Sequence, residues 1–196
     1  MDRAFFIQSA LAALAASPSQ SPSGNPWDMC TTNPVLPYDH PLDLKMQTLD
    51  GPDFHLLSYR GSAVLLNIFA SWCGPCNKEQ PGLVEVAAQY GPQGLVTVGI
   101  NDREPDDVVR HYRKKYNITF PIAMDRSGVF TQALQAGSHR DIERFIPTSL
   151  FITPQGYLYC YISDSLSRAE LDYRIKKFLA FSPPTVTPAP AATPSA

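Results

Sequence analysis

The most constraining feature of this chain is a strand-to-helix junction that carries two cysteines. Ala63 to Ala70 reads AVLLNIFA, a near-continuous apolar run. Such a run suits a central strand covered on both faces. Cys76 to Tyr90 follows, with Leu83, Val84, Ala87 and Tyr90 at helical spacing. Trp72-Cys73-Gly74-Pro75-Cys76 lies between them. A C-x-x-C at a helix start puts two sulfurs about one turn apart, where they can close a disulfide. Cys73 then sits among free backbone N–H groups at the positive end of the helix dipole, which favours its thiolate. A thiol of pKa about 8.5 is roughly 3% ionised at pH 7, and one lowered to about 7 is half ionised. Intrinsic nucleophilicity falls somewhat with pKa and trims the gain.

Two blander readings of the pair are a structural disulfide and half of a zinc site. Zinc needs two further ligands. Neither Cys30 and Cys160 nor His40, His55, His111 and His139 stand at a suitable spacing. No metal ligand set and no cofactor is read from the sequence.

The flanking segments set the architecture. Leu42, Leu44 and Met46 alternate before Asp50-Gly51, and Phe54 and Leu56 alternate after it, which predicts a hairpin. Leu95 to Ile100 reads as a second buried strand. Glu104 to Tyr116 reads as a helix with Val109, Tyr112 and Tyr116 on one face. Asn117 to Ala123 reads as a short extended piece, and Ser127 to Ala136 as a short helix. Thr148 to Ile152 and Tyr157 to Ile162 are strands joined by Thr153-Pro154-Gln155-Gly156. Leu171, Ile175, Phe178 and Leu179 mark a final amphipathic helix. Alternating strands and helices predict an α/β fold with helices on both faces of one sheet.

The ends differ in composition. Of 19 prolines, six fall between Pro18 and Pro41 and five between Pro183 and Pro194, so the excess belongs to the ends. Residues 1–24 resemble a short signal peptide and a Ser/Pro linker, with Arg3 ahead of an apolar stretch and Ala13-Leu14-Ala15 as a small-x-small site. An N-terminal helix or membrane anchor is the alternative. Residues 25–181 form the expected domain, and 182–196 a Pro/Ala/Thr-rich tail expected to stay disordered. Lys+Arg is 16 and Asp+Glu is 18, which gives no electrostatic case for nucleic acid. No apolar run approaches the 18 residues of a membrane span.

WCGPC after AVLLNIFAS resembles the thioredoxin superfamily, and the longer layout resembles its exported TlpA/ResA-like branch. LDG…LLSYRGSAVLLNIFASWCGPC…P is similar to that branch from hairpin to active-site helix. GLVTVGINDREPDDVVRHY…YNITFPIAMD is similar to its inserted βα unit, and Phe145-Ile146-Pro147-Thr148 to the cis-proline segment. The resemblance covers about Leu42 to Leu179. It implies a thioredoxin-like α/β fold with an N-terminal β-hairpin, an inserted βα unit and a mixed central sheet flanked by helices. It implies a protein thiol–disulfide oxidoreductase, with reductase direction suggested by Gly74-Pro75 between the cysteines.

By the same resemblance Cys73 is the nucleophile and Cys76 the resolving thiol. Pro147 carries a cis peptide beside the sulfurs, and the Ile146 backbone pairs with an extended substrate. Trp72, Gly74 and Pro75 line the contact, with Trp72 limiting solvent access, and Pro81 kinks the active-site helix. Cytosolic thioredoxins carry a buried Asp where this chain has Asn67. The branch's C-x-x-C-x-x-E-x-P pattern makes Glu79 an acid/base partner of the thiols; a plain first-turn carboxylate is the alternative. The implied partners are protein disulfides and a membrane thiol–disulfide electron donor, outside the cytoplasm, with the chain a monomer. Several members serve cytochrome c maturation, but the Gly-Ala-Pro-Glu-Thr string of the most specialised is missing here.

An exported chain with four cysteines invites a second bridge, Cys30 to Cys160, closing a loop of 160 − 30 = 130 residues. Two unpaired thiols are the alternative. Two rival functions remain open. One is a Sco-like copper-handling protein, for which His139 could serve as the later ligand. The other is an oxidase or isomerase.

Overall fold

The computed structural model describes residues 40–138, 141 and 145–181. The expected leader and linker, the tail, Cys30 and His139 lie outside the described residues. Strand β3 (Ala63–Phe69) is buried at all seven positions, as a strand covered on both faces must be. It is the middle of a five-stranded sheet of order β5-β4-β3-β6-β7. Strand β4 (Leu95–Asp102) runs parallel to β3, and β5 (Ile122–Asp125) parallel to β4. Strands β6 (Thr148–Ile152) and β7 (Leu158–Ile162) continue antiparallel on the other side. The expected mixed sheet is observed.

The hairpin forms as expected but is short. Strand β1 (Lys45–Met46) pairs with β2 (Phe54–His55), so Met46 faces Phe54. Its turn residues then cover the β5 edge: Met124 N–H donates to Gln47 O and Leu49 N–H to Ile122 O, both at 2.8 Å. This pairing protects one edge of the sheet from other strands.

Four α-helices among the described residues flank the sheet. Helix α1 (Gly74–Tyr90) begins two residues earlier than the apolar spacing suggested. Cys73 is its N-cap and Pro75 stands in its first turn, where a missing N–H costs nothing. Pro81 lies inside it. Helix α2 (Asp106–Tyr116) starts two residues later than expected. Pro105 disfavours helical geometry for the residue before it, so Glu104 stays outside. Asn117 ends α2 in the left-handed region (φ 53°), which explains why the strand expected from there begins only at Ile122. Helix α3 (Val129–Ser138) follows β5, and α4 (Arg168–Phe181) closes the fold. Leu171, Ile175 and Phe178 of α4 are fully buried, while α1 and α4 also meet through Tyr90 Oη donating to Asp172 Oδ1. Tyr112 of α2 reaches α1, its hydroxyl 3.5 Å from Gln80 Oε1.

Candidate active site

The carboxyl end of β3 hands over to α1 through Ala70–Cys73, so both cysteines stand at the edge of the parallel half of the sheet. Cys73 and Cys76 form a disulfide with Cα atoms 5.2 Å apart. The Cys76 backbone N–H points at Cys73 Sγ across 3.1 Å. That donor and the positive end of the helix dipole are placed to favour negative charge on Cys73 Sγ. Cys73 is only 3% exposed and Cys76 2%. The oxidised sulfurs are covered by the segment before β6: Ile146 O is 3.5 Å from Cys73 Sγ.

That segment carries the one cis peptide among the described residues, Ile146–Pro147, as expected. Its position is fixed from two sides. Ser163 Oγ donates to Phe145 O at 2.7 Å, and the Thr148 hydroxyl donates to the same oxygen. Trp72 is 52% exposed, so its indole covers less than the resemblance implied. At Gly74 a Cβ would meet no atom within 4 Å, leaving that side of the turn open.

Glu79 is 2% exposed, one turn along α1 from Cys76. Burial pushes its carboxyl from 4.5 up to about 8, against the opposing pull of hydrogen bonds from Leu166 N–H and Asn67. Leu166 N–H donates to Oε1 at 3.3 Å, and Asn67 Nδ2 lies 3.5 Å from Oε2 and 3.1 Å from Ser149 Oγ. Asn67 therefore occupies the buried strand position as a donor to Glu79 and cannot itself take up a proton. Ser165 Oγ donates to Pro75 O at 3.2 Å, so the loop between β7 and α4 holds both the CGPC turn and Glu79.

The sequence reading missed Ser71, Asn77, Asn101 and Glu104. Glu104 looked like the first residue of a helix. Its carboxylate instead accepts from Ser71 N–H at 2.8 Å and from Asn101 Nδ2 at 2.6 Å. The Asn-x-x-Glu spacing before a proline was the available signal. Cys160 lies on β7, 3% exposed and disulfide-bonded. Its expected partner, Cys30, is outside the described residues, as is His139, on which the copper reading leaned. Among the described residues no three His, Cys, Asp or Glu side chains gather as a metal site would require.

The AhpC/TSA family model matches residues 38–160. The chain is 28% identical over 134 residues to the thiol-disulfide oxidoreductase ResA of Geobacillus thermodenitrificans, covering 68% of this chain and 73% of that one. A thioredoxin-family thiol:disulfide interchange protein from Chlorobium tepidum is 32% identical, with a TM-score of 0.62 over 73% of this chain and 97% of its own. A secreted Mycobacterium tuberculosis disulfide oxidoreductase is 26% identical, with a TM-score of 0.57 over 68% and 95% of the two chains.

Proposed function

The chain belongs to the AhpC/TSA family and is a thiol–disulfide oxidoreductase; from that premise we propose that it works as an exported reductase of protein disulfides. The observation that carries the reading is the Cys73–Cys76 pair at the start of α1, with the Cys76 N–H aimed at Cys73 Sγ.

In the reduced protein the Cys73 thiolate attacks one sulfur of a client disulfide. A Cys73–client bond forms, the client S–S bond breaks, and the freed client sulfur leaves as a thiolate that takes a proton. Cys76, deprotonated, then attacks Cys73 Sγ. The mixed disulfide breaks, the second client sulfur leaves, and the Cys73–Cys76 disulfide holds the two electrons' worth of oxidation. A membrane-bound dithiol donor returns the pair to the dithiol. In its ionised form Glu79 is the group suited to accept the Cys76 proton. It sits in the next turn of the same helix, and a carboxyl pushed up to about 8 holds a proton nearly as tightly as a thiol does.

Client docking uses the Ile146 backbone beside Pro147, with Trp72, Gly74 and Pro75 on the facing turn. A short extended segment adds there as a strand would. The leader-like residues 1–24 support export, and an oxidising compartment suits a structural Cys30–Cys160 bridge. The domain acts as a monomer.

Trapping tests the reading. Cys76→Ala should accumulate mixed disulfides through Cys73, and Cys73→Ala should accumulate none. The trapped clients also show whether haem-binding apoproteins of cytochrome c type are among them. Direction is read from the reduction potential. Dithiols of this fold span about −270 to −120 mV, so a value near the upper end would make the protein an oxidase.

A further inference from the structure

We propose that Glu104 is a positioning residue for the Cys73 nucleophile, making the inserted β4–α2 unit the seat of the active-site turn. The proposal rests on the reading of Cys73 as the attacking sulfur.

Glu104 meets Ser71 twice. Its Oε2 accepts from Ser71 N–H at 2.8 Å, and its Oε1 accepts from Ser71 Oγ at 2.5 Å. The remaining polar group of Ser71, its carbonyl, accepts from Asn77 Nδ2 in the first turn of α1 at 3.1 Å. Every hydrogen-bonding group of a residue two positions before Cys73 is therefore bound. Cys73 N–H closes the turn on Ala70 O at 3.2 Å. Hydrogen bonds to an ionised acceptor are about twice as strong as neutral ones, so this is a firm anchor.

The partner side is held as firmly. Asn101 Nδ2 donates to Glu104 Oε2 at 2.6 Å, and Glu104 N–H donates to Asn101 Oδ1 at 3.3 Å. The residue before it, Arg103, is in the left-handed region at φ 53°, uncommon for a bulky side chain. That conformation separates two tasks. Arg103 folds back onto Asp102, with Nε and Nη2 each 3.0 Å from a carboxylate oxygen, and crosses Gly128, where a Cβ would come within 2.3 Å of its Cδ. Glu104 is left facing the opposite way, toward Ser71. Strained backbone persists only where surrounding contacts hold it, and here they deliver one carboxylate to the active-site turn.

The reason this matters for chemistry is geometric. Thiolate stabilisation by the Cys76 N–H and the helix terminus falls off within a turn, so it depends on where Cys73 stands. A bare Coulomb effect of Glu104 would work in the other direction, since a nearby negative charge disfavours a thiolate. Placement and charge therefore predict opposite signs.

The test follows alkylation of Cys73 by iodoacetamide in the reduced full chain across pH, with the modified peptide identified by mass spectrometry. Wild type should show a midpoint well below the ordinary 8.5. Glu104→Ala should raise that midpoint by ~0.5–1 unit and slow alkylation at pH 7 about three- to tenfold. Glu104→Gln keeps an acceptor for the Ser71 N–H and should stay within ~0.3 unit of wild type. Ser71→Ala loses only the hydroxyl bond and should shift the same way by less; it decides the question if Glu104→Ala does not fold. Lowered midpoints in both Glu104 variants would make charge the contribution. An unmoved midpoint with a lower melting temperature would make it structural. Either result overturns the proposal. A wild-type midpoint at the ordinary value would instead overturn the reading of Cys73 itself.

Discussion

The Leu166 backbone N–H donates to Glu79 Oε1 at 3.3 Å, so the loop entering α4 reaches beneath the active-site helix and meets a buried carboxyl group. One N–H at that distance and a long contact from Asn67 do not replace the water that Glu79 lost. The folded protein therefore holds its proton up to about pH 8, whereas the unfolded chain releases it near 4.5. Stability from this group is fully present below about 4.5 and is lost as pH rises through about 8, by on the order of 5 kcal/mol at most. Glu79→Gln keeps the neutral form and an acceptor for Leu166. Its urea midpoint should fall less than that of wild type between pH 5 and 9, and above pH 8 it should be the more stable protein. Equal slopes for the two proteins would contradict this.

Asn67 offers a complementary change. Asn67→Asp replaces the donor 3.5 Å from Glu79 Oε2 with a second carboxyl group. Two buried carboxyls at that separation cannot both ionise, so one proton is retained by the pair to higher pH. Because Glu79 accepts the Cys76 proton only when ionised, the ascending, acid-side limb of disulfide reductase activity should move upward by about one unit or more relative to wild type. A limb that stays put would show that Glu79 does not govern it.

The polypeptide announced some of this and concealed the rest for identifiable reasons. The β3–α1 junction was legible because burial on both faces leaves an unbroken apolar run, and because C-G-P-C marks the turn where the run stops. The α4 face was legible because Leu171, Ile175 and Phe178 keep helical spacing. Helix α1 starts earlier than its apolar positions suggest because the first turn holds Gly74 and Pro75, which pack nothing. Glu104 was hidden because a glutamate before Asp106 and Asp107 looks like an acidic first turn, and only Pro105 and the turn at Arg103 redirect it. Glu79 could be named by its spacing from Cys76, but its burial depends on Leu166, which lies 87 residues further along the chain.

The second bridge is tested by stability alone. Cys160 is disulfide-bonded. With Cys30 as partner the closed loop is long, and its loss should cost about 2–5 kcal/mol. Cys30→Ser, Cys160→Ser and the double variant should then be equally destabilised in denaturant, because each removes the same bond. Reductase activity should survive below the new midpoint. Additive losses, or a silent Cys30→Ser, would exclude the pairing.

The Phe145 carbonyl accepts both the Ser163 and Thr148 hydroxyls immediately before the segment that touches Cys73. Phe145 itself is wholly buried, so an oxygen stripped of both donors would have no water to turn to. Ser163→Ala or Thr148→Val alone leaves one donor in place and should cost about 1 kcal/mol. The double variant should cost more than the sum, by roughly 0.5–3 kcal/mol, because the two hydroxyls share an acceptor. The same loosening reaches Ile146 O, 3.5 Å from the sulfur, where a client segment is proposed to pair. KM for a peptide disulfide should therefore rise severalfold in the double variant while the alkylation rate of free Cys73 stays unchanged. A fall in that alkylation rate with KM unaltered would mean that these hydroxyls serve the sulfur and not the docking strand.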